Sequence, residues 1–248
     1  MALREELEKQ GNWFFRWRTY FPLLILPILF IALHESECLE RMLGDLAEDF
    51  WQGFCLALSL LGLVIRCLVI GYVPDGTSGR NTKKQKADML NTTGMYSILR
   101  HPLYLGNFFI FLGIVLSIQV WWFALLSMLS FWFYYEKIIF AEEEFLRRKF
   151  GGGYLKWAKK TPAFLPKFKH WQTPNLAFSF KTVFRKEHSA FFVITTSFSL
   201  LDITQDSFME NKLKLDLGWL IVFVCGLAIY LTLLTLKRKT KILNVEGR

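Results

Sequence analysis

Long apolar blocks separated by charged stretches set the pattern of this chain. Six apolar segments stand out, over residues 20–33, 50–72, 103–119, 120–140, 189–201 and 217–236. A helix that crosses the hydrocarbon core needs about 20 apolar residues, so the second and sixth segments are long enough by themselves. The first is short unless residues 13–18 are added to it, and the fifth is the weakest candidate. The pattern predicts an all-α fold, a polytopic transmembrane helical bundle of about six spans.

The charges of the loops support this arrangement. The formal net charge is +9, and the basic residues cluster in the stretches 1–18, 73–100, 137–188 and 237–241. The intervening stretches 35–49 and 202–216 are acidic, and the turn near Gln119 is uncharged. Alternate loops are therefore basic, as the positive-inside rule requires for six spans with both termini in the cytoplasm. No basic stripe interleaves with aromatic residues, so nucleic acid is not an expected partner.

Composition narrows the class further. Hydrophobic residues make up 53% of the chain and aromatic residues 17%, more than in an ordinary soluble domain. The four cysteines show no CxxC or CxH spacing, so neither a metal site nor a disulfide framework is expected. The first residues form a charged run without the apolar core of a signal peptide. We expect an integral protein of a bacterial inner membrane, although a protein of the endoplasmic reticulum would look similar.

Two polar clusters flank the third and fourth apolar segments. The run Arg-His-Pro at 100–102, followed by Tyr104, opens the third segment, and three glutamates at 142–144 close the fourth. About forty residues separate the clusters, roughly the length of a helical hairpin that crosses the membrane twice. Such a hairpin brings both clusters to one membrane boundary, the cytoplasmic one in this topology. Holding polar groups at that boundary costs free energy, and such groups are usually functional.

The fourth segment is expected to continue as a helix to Phe150 and then to break. The spacing i,i+4 would allow Glu143 to pair with Arg147 and Glu144 to pair with Arg148. Adjacent carboxylates point in different directions around a helix, so at least one is left for a ligand. Three glycines at 151–153 end the helix. The residues beyond predict a stiff lid over the mouth of the hairpin: Tyr154, Trp157, Pro162 and Pro166.

A second group of polar residues precedes the hairpin. The loop 73–82 combines two glycines and several hydroxyl residues with Arg80 and Asn81. Backbone donors and a guanidinium fork at a membrane surface can hold a phosphate, and an ordinary flexible turn is the alternative. Arg66 lies inside the second span near its cytoplasmic end, where it either snorkels to the surface or contacts a substrate headgroup.

The ordered motifs resemble the isoprenylcysteine carboxyl methyltransferase family and the broader group of phospholipid methyltransferases. The pattern is Arg-His-Pro-x-Tyr-x-Gly, then Glu-Glu-x-x-Leu-x-x-x-Phe-Gly-x-x-Tyr, then Pro-x-x-x-Pro. It covers residues 93–168, and Trp157 stands where the family often has tyrosine. The matching residues are Arg100, His101, Pro102, Tyr104, Gly106, Glu142, Glu143, Leu146, Phe150, Gly151, Tyr154, Pro162 and Pro166.

The resemblance implies S-adenosyl-L-methionine as cofactor and a membrane lipid or lipidated molecule as acceptor. It places the following residues in a cytoplasmic cofactor pocket: His101, Tyr104, Gly106, Glu142, Glu143 and Tyr154. A carboxylate or phosphate acceptor is already ionised and needs no base. An arginine would then orient the anion, and Arg100, Arg147 and Glu142 are the catalytic candidates. An amine acceptor needs a base, which His101 or a glutamate would provide.

These expectations combine into one hypothesis with stated alternatives. The chain forms one membrane domain over residues 1–248, with a methyltransferase-like core over 93–168 and a C-terminal helical pair over 189–236. We expect O-methylation of an anionic lipid headgroup, leaning to lipid A 1-phosphate, since one branch resembling this family methylates that phosphate. The alternatives are methylation of a prenylcysteine carboxylate or of the phosphatidylethanolamine nitrogen, an NADPH-dependent sterol-type reductase with a similar Arg-His-Pro motif, and a non-catalytic membrane scaffold.

Overall fold

The described part of the chain is helical. A computed structural model describes residues 2–20, 23, 25–35, 45–77, 85–210 and 216–248. Within these residues it contains no strand, which confirms the all-α fold class. The elements are α1 (Leu3–Trp17), α2 (Leu26–Glu35), α3 (Asp45–Tyr72), α4 (Met95–Ile98), α5 (Pro102–Leu116), α6 (Trp121–Lys160), the 3-10 turn Phe168–His170, α7 (Phe180–Glu210) and α8 (Leu217–Lys239).

Three of the described helices, α3, α6 and α8, are long and apolar enough to cross a membrane. Helix α5 is apolar but has 15 residues, and α7 has 31 residues of mixed polarity. Large apolar side chains face outward, which a bilayer tolerates and water does not. Those on α3, α6 and α8 include Phe50, Phe54, Val64, Trp121, Leu125, Leu129, Phe133, Leu217, Ile221 and Val224. The chain is therefore an integral membrane protein, and the count of six spans stays a prediction.

The first predicted segment does not form one continuous helix. Helix α1 ends at Trp17 and α2 begins at Leu26. Residues 13–18 and the segment 20–33 therefore do not form one helix, and the first segment stays short. The charged residues at the start of the chain belong to α1, which packs along α6. The Tyr134 hydroxyl of α6 donates to the Phe14 carbonyl of α1 over 2.7 Å. A Cβ atom at Gly11 would lie 2.2 Å from the Lys137 carbonyl oxygen, so only glycine permits this approach.

Helix α6 extends well beyond the membrane. Its 40 residues are about 60 Å long at the normal helical rise, roughly twice the thickness of the hydrocarbon core. Its second half therefore carries the predicted glutamate cluster outside the apolar layer. The predicted break occurs at Gly151, where φ is 50° and ψ is −123°, but the helix resumes at once and ends at Lys160.

Helices α3 and α5 lie in close contact along a line of small residues. A Cβ at Gly62 would lie 2.5 Å from the Gly106 carbonyl oxygen, and one at Gly106 would lie 2.6 Å from Cγ of Arg66. The Ser59 hydroxyl donates to the Ile110 carbonyl over 3.0 Å. Small residues that let backbones approach are the usual means of helix association in membranes.

The C-terminal helices α7 and α8 pack on each other, and α7 also packs on α3. Phe198 stacks on Trp219 with ring centroids 5.9 Å apart, and the Ser199 hydroxyl donates to the Trp219 carbonyl over 3.0 Å. The polar link to α3 is Glu187, whose carboxylate receives two hydrogen bonds from Arg66, of 2.7 and 3.0 Å. Helix α7 is therefore joined to α3 by packing and by charge.

Candidate active site

The two predicted clusters meet because α5 and α6 form an antiparallel hairpin. Helix α5 begins at Pro102, a position where the missing N–H costs little. Leu116 ends it, and the tight connection includes Gln119 with φ of 65° before α6 starts at Trp121. The start of α5 therefore lies beside the part of α6 that follows its apolar half.

Glu143 is the centre of the cluster. Its Oε1 lies 2.9 Å from Nε2 of His101 and 2.7 Å from a guanidinium nitrogen of Arg100. Nδ1 of His101 lies 3.8 Å from Glu142 Oε2. The His101 side chain is 5% exposed, whereas both glutamates are 26% exposed. One carboxylate thus fixes the histidine and the arginine, while Glu142 faces open space beside them.

Aromatic rings support the histidine from the membrane side. The Tyr104 ring stacks on His101 with centroids 5.7 Å apart, and Tyr135 meets Tyr104 edge-on at 5.1 Å. Tyr135 in turn stacks on Phe131 at 4.2 Å. This column continues the site from the polar boundary into the apolar layer.

The chain after α6 folds back over the segment that precedes α5. The Arg100 amide donates to the Pro162 carbonyl over 2.9 Å, and the Lys167 amide donates to the Ile98 carbonyl over 3.0 Å. The indole N–H of Trp157 donates to the Tyr96 carbonyl over 3.1 Å. The segment expected to form a lid is therefore held in place by backbone hydrogen bonds next to the cluster.

Two cavities meet at His101 and Tyr104, which line both of them. The first, which we call the polar cavity, has a volume of about 80 Å³ and is also lined by Asn91, Arg100 and Glu142. The second, the apolar cavity, has a volume of about 590 Å³ and lies between α5, α6 and the segment 162–165. Ligand sites in proteins commonly have volumes of about 300–1,000 Å³ with few polar groups. The apolar lining includes Leu105, Phe108, Trp132, Ile139 and Phe164.

Tyr96 contributes a neutral donor to the polar cavity. It lies in the short helix α4 and lines the cavity beside Arg100. Burial raises the pKa of its phenol, and the charge of Glu142 raises it further. The hydroxyl therefore stays protonated at neutral pH.

The structure brings together six of the predicted site residues and leaves others elsewhere. Gathered at or beside the cluster are Arg100, His101, Tyr104, Glu142, Glu143 and Tyr154. Gly106 lies at the contact between α5 and α3, and Arg66 is held by Glu187 and Asn107. Arg147 lies 3.7 Å from Glu144, half exposed, away from His101. Arg80 and Asn81 lie outside the described residues.

The expected i,i+4 pairs on α6 are replaced by contacts with other elements. Glu143 binds His101 and Arg100 rather than Arg147. Glu144 accepts hydrogen bonds from Arg4 of α1. Arg148 donates to Glu8 of α1, with one N–O distance of 2.7 Å.

Sequence reasoning missed those parts of the wall of the polar cavity that come from distant elements. Phe15 of α1 and Tyr96 of α4 both line the polar cavity. The segment 85–91 lines the same cavity. The high aromatic content of α1 and the polar residues at 91–94 were the available signals, but nothing in their spacing points at His101.

Comparison with known proteins shows which proteins the region around the site resembles. Residues 51–153 match the family model described as phospholipid methyltransferase. The predicted core covers residues 93–168. The match therefore starts before the core and ends before its last residue, 168. Within it lie both polar clusters of the hairpin. The resemblance drawn from the sequence is confirmed: residues 51–153 are similar to phospholipid methyltransferases, and parts of the chain are similar to isoprenylcysteine methyltransferases.

Several curated proteins are similar to parts of the chain. The protein-S-isoprenylcysteine O-methyltransferase of Schizosaccharomyces pombe is 34% identical over 85 residues, which are 34% of this chain and 36% of the relative. The Xenopus laevis protein of the same name is 34% identical over 132 residues, or 49% and 43% of the two chains. The nickel-cobalt-cadmium resistance protein NccN of Alcaligenes xylosoxydans xylosoxydans is 31% identical over 121 residues, or 48% and 54%.

The chain thus spans about half the length of these relatives or less. No solved structure matches it. Among the described residues there is no group of three or more histidine, cysteine, aspartate or glutamate side chains arranged to hold a metal ion.

Proposed function

We propose that the chain is an S-adenosyl-L-methionine-dependent methyltransferase that methylates an anionic oxygen of a membrane lipid or lipidated molecule. The observation that carries this proposal is the position of His101 and Tyr104 between a polar and an apolar cavity. A polar methyl donor and a methyl acceptor with a hydrocarbon chain need two such cavities, one polar and one apolar, that meet at one point. The family match and the methyltransferase names of the relatives support the reaction class.

The polar cavity has the side chains that the cofactor requires. S-adenosyl-L-methionine supplies a methyl group on a sulfonium centre, and it also carries an ammonium, a carboxylate and ribose hydroxyls. Glu142 would bind the ammonium or the ribose hydroxyls. The Tyr104 ring offers a face that attracts a cation. Asn91 adds an amide donor and acceptor to the same wall.

The apolar cavity would bind the hydrocarbon part of the acceptor. Its lining is apolar apart from His101, Glu136 and tyrosine hydroxyls, and it opens beside α6 within the membrane layer. A chain bound there would direct its headgroup towards His101 and Tyr104. Methyl transfer is a displacement that depends mainly on alignment and exclusion of water, which the segment 162–165 favours by covering this cavity.

Arg100 is the residue that would orient an anionic acceptor. Its guanidinium has five N–H donors, so it can hold Glu143 and a second oxyanion together. A carboxylate or phosphate oxygen reaches this point ionised and needs no general base. We therefore assign to Arg100 and Glu142 the roles of orienting and binding, with Glu143 fixing the arginine and the histidine.

The narrower choice among anionic acceptors rests on fewer observations. The lean to lipid A 1-phosphate depends on Arg80 and Asn81, which lie outside the described residues. The relatives named isoprenylcysteine O-methyltransferases favour a carboxylate on a prenylated cysteine. Both acceptors have an oxyanion next to a long hydrocarbon, the chemistry that the two cavities fit.

An amine acceptor is the second candidate function. The hydrogen bond between His101 and Glu143 holds the imidazole where the two cavities meet, so its ring is placed to act as a general base. Such a base would take the proton that an ammonium headgroup must lose before methylation. The family model described as phospholipid methyltransferase is consistent with this acceptor.

The proposed site lies on the cytoplasmic side of a bacterial inner membrane, with both termini on that side. The basic segments of the chain support this orientation through the positive-inside rule. A reporter enzyme fused to the C-terminus, active only in the periplasm, should give no signal.

The function is tested by incubating the purified protein with S-adenosyl-L-methionine carrying a deuterated methyl group. Separate reactions contain a bacterial lipid extract, N-acetyl-farnesylcysteine or phosphatidylethanolamine. The proposal expects a mass shift in an acidic acceptor, with fragmentation placing the label on a carboxylate or phosphate oxygen. Mild base removes the label from a carboxyl methyl ester, whereas a methyl phosphodiester and an N-methyl group are stable to it. Glu142→Gln should lose the label, whereas Glu6→Gln on the exposed face of α1 should keep it.

Other outcomes have definite meanings. Base-stable label found solely in phosphatidylethanolamine would replace the oxygen acceptor by the amine. Label in none of the three reactions, from a protein that binds S-adenosylhomocysteine, would overturn the acceptor class. Equal label from wild type and Glu142→Gln would remove Glu142 from the site.

A further inference from the structure

The apolar cavity ends at a pair of stacked aromatic rings. From Ile139 to Phe131, its lining on α6 covers eight residues, a length of about 12 Å. Phe131 stacks on Tyr135 with ring centroids 4.2 Å apart, and the Phe108 ring of α5 meets Phe131 edge-on at 5.6 Å. Phe131 is only 6% exposed. A hydrocarbon chain that enters beside His101 therefore meets a closed wall about two helical turns further into the membrane layer.

A third cavity lies on the other side of these rings. We call it the lateral cavity; its volume is about 630 Å³, and it lies between α2, α5, α6 and α7. Phe131 and Tyr135 line both the apolar and the lateral cavity, so the two rings form the wall between them. Most of the other lining is apolar and includes Ile110, Ile114, Phe123 and Val193. Removal of one ring would therefore join two cavities of nearly equal volume.

A series of hydrogen bonds holds Tyr135 in this wall. The Asn107 side chain donates to the Tyr135 hydroxyl over 3.2 Å, and Arg66 donates to the Asn107 side-chain oxygen. Arg66 also donates two hydrogen bonds to Glu187 of α7. A hydrogen bond broken in an apolar layer leaves buried polar atoms without partners, so a movement of Tyr135 out of the wall would cost free energy. The Tyr135 ring is therefore a fixed part of the wall.

The volume of the apolar cavity fits one hydrocarbon chain. A methylene group takes up about as much space as a water molecule in the liquid, roughly 30 Å³. The cavity, of about 590 Å³, therefore has room for roughly twenty carbons. One alkyl, acyl or prenyl chain fits within it, whereas the two acyl chains of an ordinary phospholipid do not.

On the basis of the proposed function, we propose that Phe131 and Tyr135 determine acceptor specificity by closing the apolar cavity behind a single hydrocarbon chain. The substrate class is then a molecule with one chain next to its anionic group. The lateral cavity takes no part in acceptor binding while the wall is present. It becomes available to a second chain when Phe131 is replaced by a small residue.

Binding of a one-chain and a two-chain lipid to the detergent-purified protein tests this proposal without any methyl donor. The ligands are oleoyl lysophosphatidic acid and dioleoyl phosphatidic acid, whose phosphate headgroups are alike, and native mass spectrometry gives the affinity of each. Wild type should prefer the one-chain lipid. Phe131→Ala should bind the two-chain lipid at least about tenfold more tightly than wild type does, since each methylene group that becomes buried contributes about fourfold. Its affinity for the one-chain lipid should stay within about threefold of wild type.

Filling the lateral cavity separates this effect from a general loosening of the fold. Ala190 lines that cavity from α7, so Ala190→Phe added to Phe131→Ala should remove most of the gain. Ala190→Phe alone should leave both affinities as in wild type. The matched control is Leu129→Ala on the outward face of α6, which should also change neither affinity. Thermal melting shows which variants are folded, and Phe131→Leu provides a smaller opening if Phe131→Ala does not fold.

Three results would overturn the proposal. The first is tighter binding of the two-chain lipid than of the one-chain lipid by wild type. The second is an equal gain for both lipids, or no gain, in folded Phe131→Ala or Phe131→Leu. The third is a gain that persists after Ala190→Phe is added. If the expected binding pattern is found but neither lipid accepts a deuterated methyl group, the assignment of the wall stands and the phosphate acceptor of the proposed function fails.

Discussion

His101 and Glu143 are joined by a hydrogen bond of 2.9 Å between Nε2 and Oε1, although 42 residues separate them in the chain. The same carboxylate oxygen holds Arg100 at 2.7 Å. The bond therefore fixes the start of α5 against the second half of α6, at the point where the polar and apolar cavities meet. In the proposed enzyme this contact positions the groups that bind donor and acceptor.

Loss of the Glu143 charge should lower activity more than stability. In Glu143→Gln an amide replaces the carboxylate, which weakens the hold on both Arg100 and His101. A charge-assisted hydrogen bond contributes about 1.5–3 kcal/mol, so we expect kcat/KM to fall roughly ten- to a hundredfold. The methyl-transfer assay measures this, with Glu6→Gln as the control. An unchanged kcat/KM would show that the contact has no part in the site.

Filling the apolar cavity should affect the acceptor and spare the donor. Leu105→Trp places a larger side chain in the lining of the apolar cavity. The KM for the lipid acceptor should therefore rise about tenfold or more, because a misfit of one methylene group in an apolar pocket already costs about tenfold in discrimination. Affinity for S-adenosylhomocysteine should stay within about twofold. Leu129→Trp, on the outward face of the same hairpin, is the matched control. A change of donor affinity without a change of acceptor KM would contradict the assignment of the two cavities.

Two glycine substitutions should have effects of opposite sign. Gly106→Ala would place a Cβ 2.6 Å from Arg66 Cγ and 2.8 Å from the Gly62 carbonyl oxygen, so we expect a loss of about 1–3 kcal/mol. Gly53→Ala meets nothing within 4 Å in the same helix layer and should gain up to about 1 kcal/mol from helix propensity. Thermal unfolding in detergent compares them. Equal melting temperatures would mean that α3 and α5 do not pack as closely as described.

Breaking the ion pair between Arg66 and Glu187 should be costly. The pair is largely buried, with side-chain exposures of 16% and 3%, so Glu187→Leu alone leaves a cation without its partner. We expect a loss of about 3–5 kcal/mol, much of which the double change with Arg66→Met should restore. The melting temperatures of the single and double variants give the answer. A double variant no more stable than Glu187→Leu would show that the pair is not coupled.

The contact between Glu8 and Arg148 should make α1 docking depend on pH. The hydrogen bond from Arg148 lowers the pKa of Glu8 below its ordinary value. A carboxyl group with a lowered folded-state pKa stabilises the fold above its unfolded value, and this stability is lost as the pH falls through the lowered value. The pair is near the surface, so the difference between wild type and Glu8→Gln should be below about 1 kcal/mol at neutral pH. It should vanish in acid, and a difference that grows in acid would contradict the contact.

The amino-acid sequence predicts the hairpin and its cluster because local rules determine both. Pro102 opens a helix and Gly151 interrupts one, and the apolar segment lengths bring His101 and Glu143 to the same boundary. The partners of these residues were less predictable. The i,i+4 rule pairs Glu143 with Arg147, but the nearby start of α5 offers Arg100 and His101 at once, and tertiary contact prevails.

Contacts between distant elements could not be predicted from spacing. Arg66 looks like a snorkelling residue when the sequence around it is considered alone, since its partner Glu187 follows 121 residues later. The charged first residues likewise suggest a loop, and the signal for docking is a single glycine, Gly11, against Lys137. Neither pairing follows from a local pattern, because each depends on how the helices are arranged.

Calorimetric titration with S-adenosylhomocysteine is the most direct test of the central claim, with NADPH as the comparison ligand. The account predicts saturable binding of S-adenosylhomocysteine by the wild type, weaker binding by Glu142→Gln, unchanged binding by Glu6→Gln and no heat from NADPH. Saturable binding of NADPH in place of S-adenosylhomocysteine would make the protein a reductase. Binding of neither ligand by a folded sample would contradict the account and favour a scaffold.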